Sequence, residues 1–297
     1  MNTKADFKVD TLINLKKATI FSLCAALSLS IMASFVKLAA PHIHNNMIIF
    51  FRFMISFIYI FSIFLIKKMK KMYFPIKTQH FKLHVLRAIA SMMIMLLLYY
   101  SLAYIHLVDA NLLFMTNPLF VPIFTLLLFH IKTSKKNWLF IISAFIGITL
   151  IIKPGHELFN PVSLIALSSG IIAGLTILII RILSIYDHPH TCMFYYFSLA
   201  FLFSGIISIF YWETPNLHTL ILLLPIGIFG TCYQEFLIRA SQFAQARIVS
   251  TLMYTSIIFS GLIGWQVWGE IPDLLSWIGI ILVCTGSILT LLFAKNS

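Results

Sequence analysis

Apolar residues run through this chain in long continuous stretches broken by short polar joints, and they do not alternate. Crossing a bilayer as an α-helix takes roughly 20 predominantly apolar residues. Stretches of that kind cover approximately 18–38, 47–66, 83–103, 109–129, 137–152, 162–183, 191–211, 217–238, 247–268 and 274–293. The pattern predicts an all-α polytopic membrane protein with ten transmembrane helices. The fifth stretch is short, and Lys153 at its end can snorkel to the interface. A transmembrane β-barrel would instead show short alternating segments.

Composition sharpens this reading. Sixty per cent of residues are hydrophobic and only 10% charged, far below the roughly one quarter charged of a soluble domain. The net charge of +12 is gathered in a few joints. Lys4, Lys8, Lys16 and Lys17 precede the first span, and Lys67, Lys68, Lys70, Lys71, Lys77 and Lys82 flank or occupy the second joint. Lys132, Lys135 and Lys136, then Arg181, Arg239 and Arg247, and finally Lys295 all fall on the same side of a ten-span chain. The other side has Lys37 and Lys153 beside Asp109, Glu157, Glu213, Glu270 and Asp273. The positive-inside rule then puts both termini in the cytoplasm. No RNA-binding motif or helix-turn-helix pattern accompanies the basic charge, so nucleic acid is not an expected partner. Cys24, Cys192, Cys232 and Cys284 are isolated in or beside apolar runs and read as small buried residues. The apolar run after residues 1–17 lacks a small-residue cleavage site and reads as an uncleaved first helix.

The joint before the last span repeats an earlier one. Trp138 and Trp277 stand as far apart as Gly147 and Gly286, and Ile141 and Ile142 fall on Ile280 and Ile281. Five spans separate equivalent points, so one copy is inverted relative to the other: the earlier joint is basic and cytoplasmic, the later one acidic and outside. The expected organisation is a cytoplasmic tail at 1–17, a five-helix repeat at 18–152, an outer-face linker at 153–161 and a second five-helix repeat at 162–293. A 5+5 inverted repeat is a recurrent plan of secondary transporters, with substrate held near the midplane between the halves.

At this point the chain resembles the drug/metabolite transporter superfamily, in its EamA-type branch. The stretch "GLIGWQVWGEIPDLLSWIGIILVCTGSIL" is similar to that family's Gly-Glu signature and the helix after it, and "FFRF", "LRAIASMM", "NPLFVPIF" and "GITLIIKPG" resemble first-half positions in order. The resemblance covers about residues 18–293 and implies a metabolite transporter, and the surplus of Ile, Phe and Lys, as from an AT-rich bacterial genome, makes the inner membrane the expected location. Two positions depart from it: Phe129-His130 stands where the family usually has Gly-Glu, with His130 in place of the acid, and Ile257 stands where a proline is common. Within the branch, "FFRF", "HVLRAI", "KPGHELFNP" and "CMFYYFSLA" look most like S-adenosylmethionine carriers of intracellular bacteria. Related members are described as exporters of amino acids and other metabolites.

Ionisable groups within spans are the first site candidates, because they are costly in hydrocarbon and tend to face the bundle interior. Glu235 reads either as a coupling carboxylate or as the helical partner of Arg239, four residues on. Arg52 is expected to snorkel or pin two helices at a span end, with anion binding or pairing to Asp109 as the alternative. Arg87 reads as an anchor. Arg52, Asp109 and Glu270 are the coupling or gating candidates. Substrate-binding candidates are Tyr99, Asn117, Tyr233, Gln234, Glu235, Tyr254, Ser256 and Trp265, whose rings and polar groups suit a cation or a purine. Asn117-Pro118 and Pro122 predict a break in the fourth span, and Pro225, Gly227 and Gly230 predict another in the eighth. Gly170 and Gly174 form GxxxG, a close-packing signal. Trp138, Trp212, Trp268 and Trp277 read as an interfacial belt. The histidine pairs lie in joints or span ends without a metal-site pattern, so no metal or cofactor is expected.

The expected function is therefore a secondary transporter moving a small organic metabolite by alternating access, S-adenosylmethionine being one candidate and an amino acid or drug another. An intramembrane enzyme would need a nucleophile with its base, paired acids or metal ligands at one depth, and none is legible. A channel would show charged pore rings. The expected partners are a small-molecule substrate and the lipid bilayer, with the protein a monomer or homodimer.

Overall fold

Helix boundaries fall where the polar joints supply capping groups. Asn14 and Asn216 accept hydrogen bonds from the backbone N–H groups of Lys17 and Thr219, at 3.0 and 2.8 Å. His44 and His188 do the same through Nδ1 for Asn46 and His190. Such side chains satisfy donors that a helix start leaves unpaired. Burial, together with the nearby charges of Lys67 and Arg239, lowers the His188 pKa, which keeps Nδ1 free to accept.

The computed structural model describes residues 14–104, 113–130, 134–152 and 161–269, and then 274, 277–279, 281–282, 285–286 and 289. The helices are α1 (Leu15–Ala39), α2 (Asn45–Met69), α3 (Phe81–Tyr104), α4 (Asn117–Phe129), α5 (Lys135–Ile152), α6 (Pro161–Tyr186), α7 (Pro189–Ser208, continued by a 3-10 turn), α8 (Leu217–Phe243), α9 (Ala246–Leu252) and α10 (Thr255–Trp268). Among the described residues, seven segments are long and apolar enough to cross a membrane. Six are α1, α2, α3, α6, α7 and α8, in whole or part, and the seventh runs through α9 and α10. Residues 1–13 of the expected tail, 153–160 of the linker and most of the last span lie outside the described residues.

Two spans are interrupted, the fourth as its prolines predict and the ninth without any such signal. In the fourth, a turn at Met115-Thr116 precedes α4, which has only 13 residues, about 20 Å of helix. In the ninth, a turn at Met253-Tyr254 divides α9 from α10. The expected break in the eighth span is not there. α8 runs unbroken through Pro225, and its glycines serve packing instead. A Cβ on Gly227 would lie 2.4 Å from Ile55 Cδ1, and one on Gly230 would lie 2.6 Å from Arg52 Nε. Both bring α8 close to α2, as small residues do where lipid offers no hydrophobic drive.

Packing pairs are related across the two halves. α8 lies along α1 as α3 lies along α6, α2 meets α8 as α7 meets α3, and α10 packs on α1 as α4 packs on α6. α2 and α7 pack on each other. Exchanging the halves maps this set onto itself. Segments of one half also grip the other at both ends. At the lysine-rich end, Asp187 accepts from Thr78 at 2.7 Å and pairs with His84 at 2.8 Å, while Thr191 and Tyr195 donate to the carbonyls of Pro75 and Ile76. At the opposite end the His44 N–H donates to Glu213, the His44 ring stacks on Tyr211, and His42 meets His218 edge-on.

His130 corrects a sequence reading. It closes α4 in the left-handed region, φ 55°, as Gly269 closes α10 at φ 71°. His130 and Gly269 are separated by the same interval as Trp138 and Trp277, so His130 occupies the place of the signature's glycine and not of its acid. A side chain there costs about 1 kcal/mol. His130→Gly is therefore expected to raise thermal unfolding stability by roughly 1 kcal/mol. A lowered unfolding temperature would sink that account.

Candidate functional site between two broken helices

Both interruptions have the same local construction. Thr116 Oγ1 donates to the Leu113 carbonyl at 2.7 Å, and Thr255 Oγ1 donates to the Leu252 carbonyl at 2.8 Å. These two threonines share the repeat interval too. Each hydroxyl takes a carbonyl three residues back, tightening the backbone out of regular α-helix. In the fourth span Pro118 and the Asn117 amide, which donates to Phe114 O at 2.9 Å, reinforce the turn. In the ninth no proline is present. There Ser30 of α1 donates to the Ser256 carbonyl at 2.7 Å. The breaks touch one another through Ser256 Oγ and Met115 Sδ, 3.6 Å apart.

The helices beside the breaks are cut to fit. A Cβ on Gly170 would lie 2.4 Å from Leu113 O and 2.6 Å from Thr116 Oγ1, and one on Gly174 would lie 3.0 Å from Asn117 O. The GxxxG pair thus seats α6 directly on the first break, where the freed carbonyls are.

A cavity of about 40 Å³ opens between the breaks, walled by α1, α3, α6 and α8. It exceeds the roughly 10–15 Å³ that one water needs on this measure, and is far smaller than a metabolite. Asn117, Tyr233 and Gln234 line it, alongside Met95, Met115 and Met253. The thioethers are flexible and repack readily. Tyr99, Tyr254 and Ser256 are buried as well, and Ser256 meets the lining residue Met115. Among the described residues the Tyr254 hydroxyl and the Asn117 carbonyl oxygen have no hydrogen-bond partner, and the Tyr99 hydroxyl lies beside Arg52.

Two candidates fall outside this cluster, and two lie outside the described residues. Trp265 is half exposed and does not line the cavity. Glu235 leaves the cavity wall as well: it accepts from Arg239 of its own helix, 3.0 Å from Nε, and from Tyr59 at 2.8 Å. That geometry favours the partner role. An i,i+4 pair this close to solvent contributes about 1 kcal/mol or less, so Glu235→Gln is expected to leave substrate exchange within about two-fold of wild type. A tenfold loss of exchange in folded protein would return the carboxylate to coupling. Asp109 and Glu270 are not among the described residues.

The largest departure concerns arginine. Arg52 does not snorkel and Arg87 is not a surface anchor: they are 1% and 0% exposed. Arg87 bonds Gln234 Oε1 at 3.1 Å, reaches Cys192 O at 3.4 Å and lies 4.4 Å over the Tyr196 ring. Arg52 leans on Phe53 at 5.1 Å and gives one N–H to Met95 Sδ. Among the described residues neither meets a carboxylate, and Arg52 Nε and Nη2 and Arg87 Nε are unpartnered. Their position inside apolar runs was a visible signal. The depth was not, because it depends on Gly230 and on two aromatic rings from other positions. No group of three or more His, Cys, Asp or Glu converges among the described residues.

Comparison with known proteins adds four findings. The model of the family described as "EamA-like transporter family" matches residues 16–153 and again residues 160–292. The pseudopaline exporter of Pseudomonas aeruginosa (strain UCBPP-PA14) is 26% identical over 276 residues, covering 92% of this chain and 95% of that one. The S-adenosylmethionine uptake transporter of Rickettsia prowazekii is 23% identical over 261 residues, covering 88% and 87%. A solved crystal structure superposes with a TM-score of 0.77 at 15% identity, covering 95% of this chain and 99% of its own, a likeness of fold alone.

Proposed function

The chain belongs to the EamA-like transporter family, and from that premise we propose that it exports a small amino-acid-type metabolite from the cytoplasm. It is a multi-pass protein of the inner membrane and moves small molecules by alternating access. The observation that carries the reading is the pair of matched helix breaks meeting at a cavity between the halves. Discontinuous helices at mid-membrane supply backbone groups to transporter sites. The halves are proposed to be inverted repeats with both termini cytoplasmic, which makes the grip at Asp187 the inner closure and that at Glu213 the outer one. Alternating access then releases one grip while the other holds. Tyr99, Asn117, Tyr233, Gln234, Tyr254 and Ser256 are the proposed substrate contacts.

Export of an amino-acid-type compound is preferred to S-adenosylmethionine uptake on two grounds. The exporter relative covers more of the chain at higher identity. A sulfonium cation would also meet like charge beside Arg52 and Arg87, whereas a carboxylate would neutralise it. Proteoliposomes preloaded with an amino-acid mixture, and separately with S-adenosylmethionine, test this by exchange of external label. Saturable exchange of amino acids with little of S-adenosylmethionine is expected. Saturable exchange of S-adenosylmethionine alone would reverse the preference, and no exchange of either would overturn the proposal.

A further inference from the structure

The substrate's charge is legible in what the bundle interior leaves unpaired. Arg52 on α2 and Arg87 on α3 flank one aromatic pair. Arg52 lies over Phe53, Phe53 meets Tyr196 edge-on at 5.8 Å, and Arg87 lies over Tyr196. Both cations are buried, and a buried cation without an anion is costly unless something else compensates it. The three acids whose side chains are described are engaged elsewhere: Asp187 with His84 and Thr78, Glu213 with His44, Glu235 with Arg239 and Tyr59. Among the described residues the unpartnered guanidinium atoms, Arg52 Nε and Nη2 and Arg87 Nε, are donors only, and the hydroxyls of Tyr99 and Tyr196 beside them can donate too. A carboxylate is the complementary ligand, being acceptor-only and anionic.

Each guanidinium also holds a stand-in acceptor that belongs to the cavity wall. Arg52 points an N–H at Met95 Sδ, a weak acceptor, and Arg87 holds Gln234 Oε1. Met95 and Gln234 both line the cavity. Either side chain can swing aside by rotation, exposing the charge behind it. We propose that the transported substrate is an organic dianion, and that its two carboxylates take the places against Arg52 and Arg87 that Met95 Sδ and Gln234 Oε1 now hold. The proposal rests on the transporter reading and adds the substrate class.

The test uses the full chain, purified and reconstituted. Aspartate, glutamate and the C4 to C6 dicarboxylates are compared with their half-amides and diamides, by thermal shift and by exchange in proteoliposomes. The dianion is expected to bind about 10- to 100-fold more tightly than its half-amide, the effect of one charge-assisted bidentate contact, and the diamide is expected not to compete. Arg52→Gln and Arg87→Gln should each bring dianion and half-amide to within about three-fold of one another. Arg52→Lys and Arg87→Lys, which keep the charge, should retain the preference at lower affinity. They serve where a glutamine variant fails to fold. Equal binding of dianion and half-amide by wild type, or a preference that survives both glutamine variants, would overturn the proposal. Wild-type exchange of neutral or cationic metabolites without anion preference would overturn it while leaving the transporter reading intact. Failure to exchange any compound would overturn both.

Discussion

Gly170→Leu is expected to abolish the folded protein. The new Cβ would lie 2.4 Å from Leu113 O, 2.6 Å from Thr116 Oγ1 and 3.0 Å from Phe114 O. Two of these atoms are backbone carbonyls in the turn that forms the first break, so no rotamer relieves the clash. Overpacking a well-packed interior typically costs about 1–3 kcal/mol where side chains can move. Here α6 must separate from α4 or the turn must rebuild, and the cost is on the order of the 5–15 kcal/mol that a folded chain has in total. Gly174→Ala is the graded control, since its Cβ meets Asn117 O and Phe120 Cβ at 3.0 Å, a distance that small shifts relieve. Size-exclusion profiles and thermal unfolding in detergent read both. A monodisperse Gly170→Leu protein with an unchanged unfolding temperature would show that the GxxxG seat is not needed.

Arg52→Met is expected to make the unloaded protein more stable and to end transport. The guanidinium is almost wholly buried, two of its nitrogens have no partner among the described residues, and its polar neighbours there are the Met95 thioether and the Tyr99 hydroxyl, neither of them an anion. Replacing buried charged groups by apolar ones of similar volume is often neutral or stabilising, by about 1–4 kcal/mol. Met fits beside Met95 and Phe53 and removes the uncompensated charge. A structural role for Arg52 predicts the opposite sign, a loss of stability with transport falling in proportion. Unfolding temperature and exchange rate measured on one preparation separate the two. A destabilised variant that still exchanges substrate would refute the binding role.

These expectations show which parts of the molecule were readable along the chain. Hydropathy places membrane segments because every backbone polar group in lipid must be satisfied within its own helix, so a spanning segment announces itself by length and apolarity. The internal interval marked by Trp138 and Trp277 also pairs Thr116 with Thr255 and His130 with Gly269. The proline rule found the break in the fourth span from Asn117-Pro118, because that cause is covalent.

The same rule failed at Pro225, where α8 continues, and at Met253-Tyr254, where no proline exists. There the break is held by Thr255 Oγ1 on Leu252 O and by Ser30 from a helix far away in sequence. Glu235 and Arg52 take different places for a related reason. Both are ionisable groups in apolar runs, but rotation of a helix about its axis decides which face meets lipid edge or interior, and that rotation is set by neighbours. Ile55 against Gly227 and Arg52 against Gly230 fix how α2 and α8 mesh. The sequence by itself determined the membrane class, most of the spans and the internal repeat, since each follows from local solvation and spacing. Only the tertiary structure decided which charges are buried without partners, because burial belongs to the contact between helices and not to either helix alone.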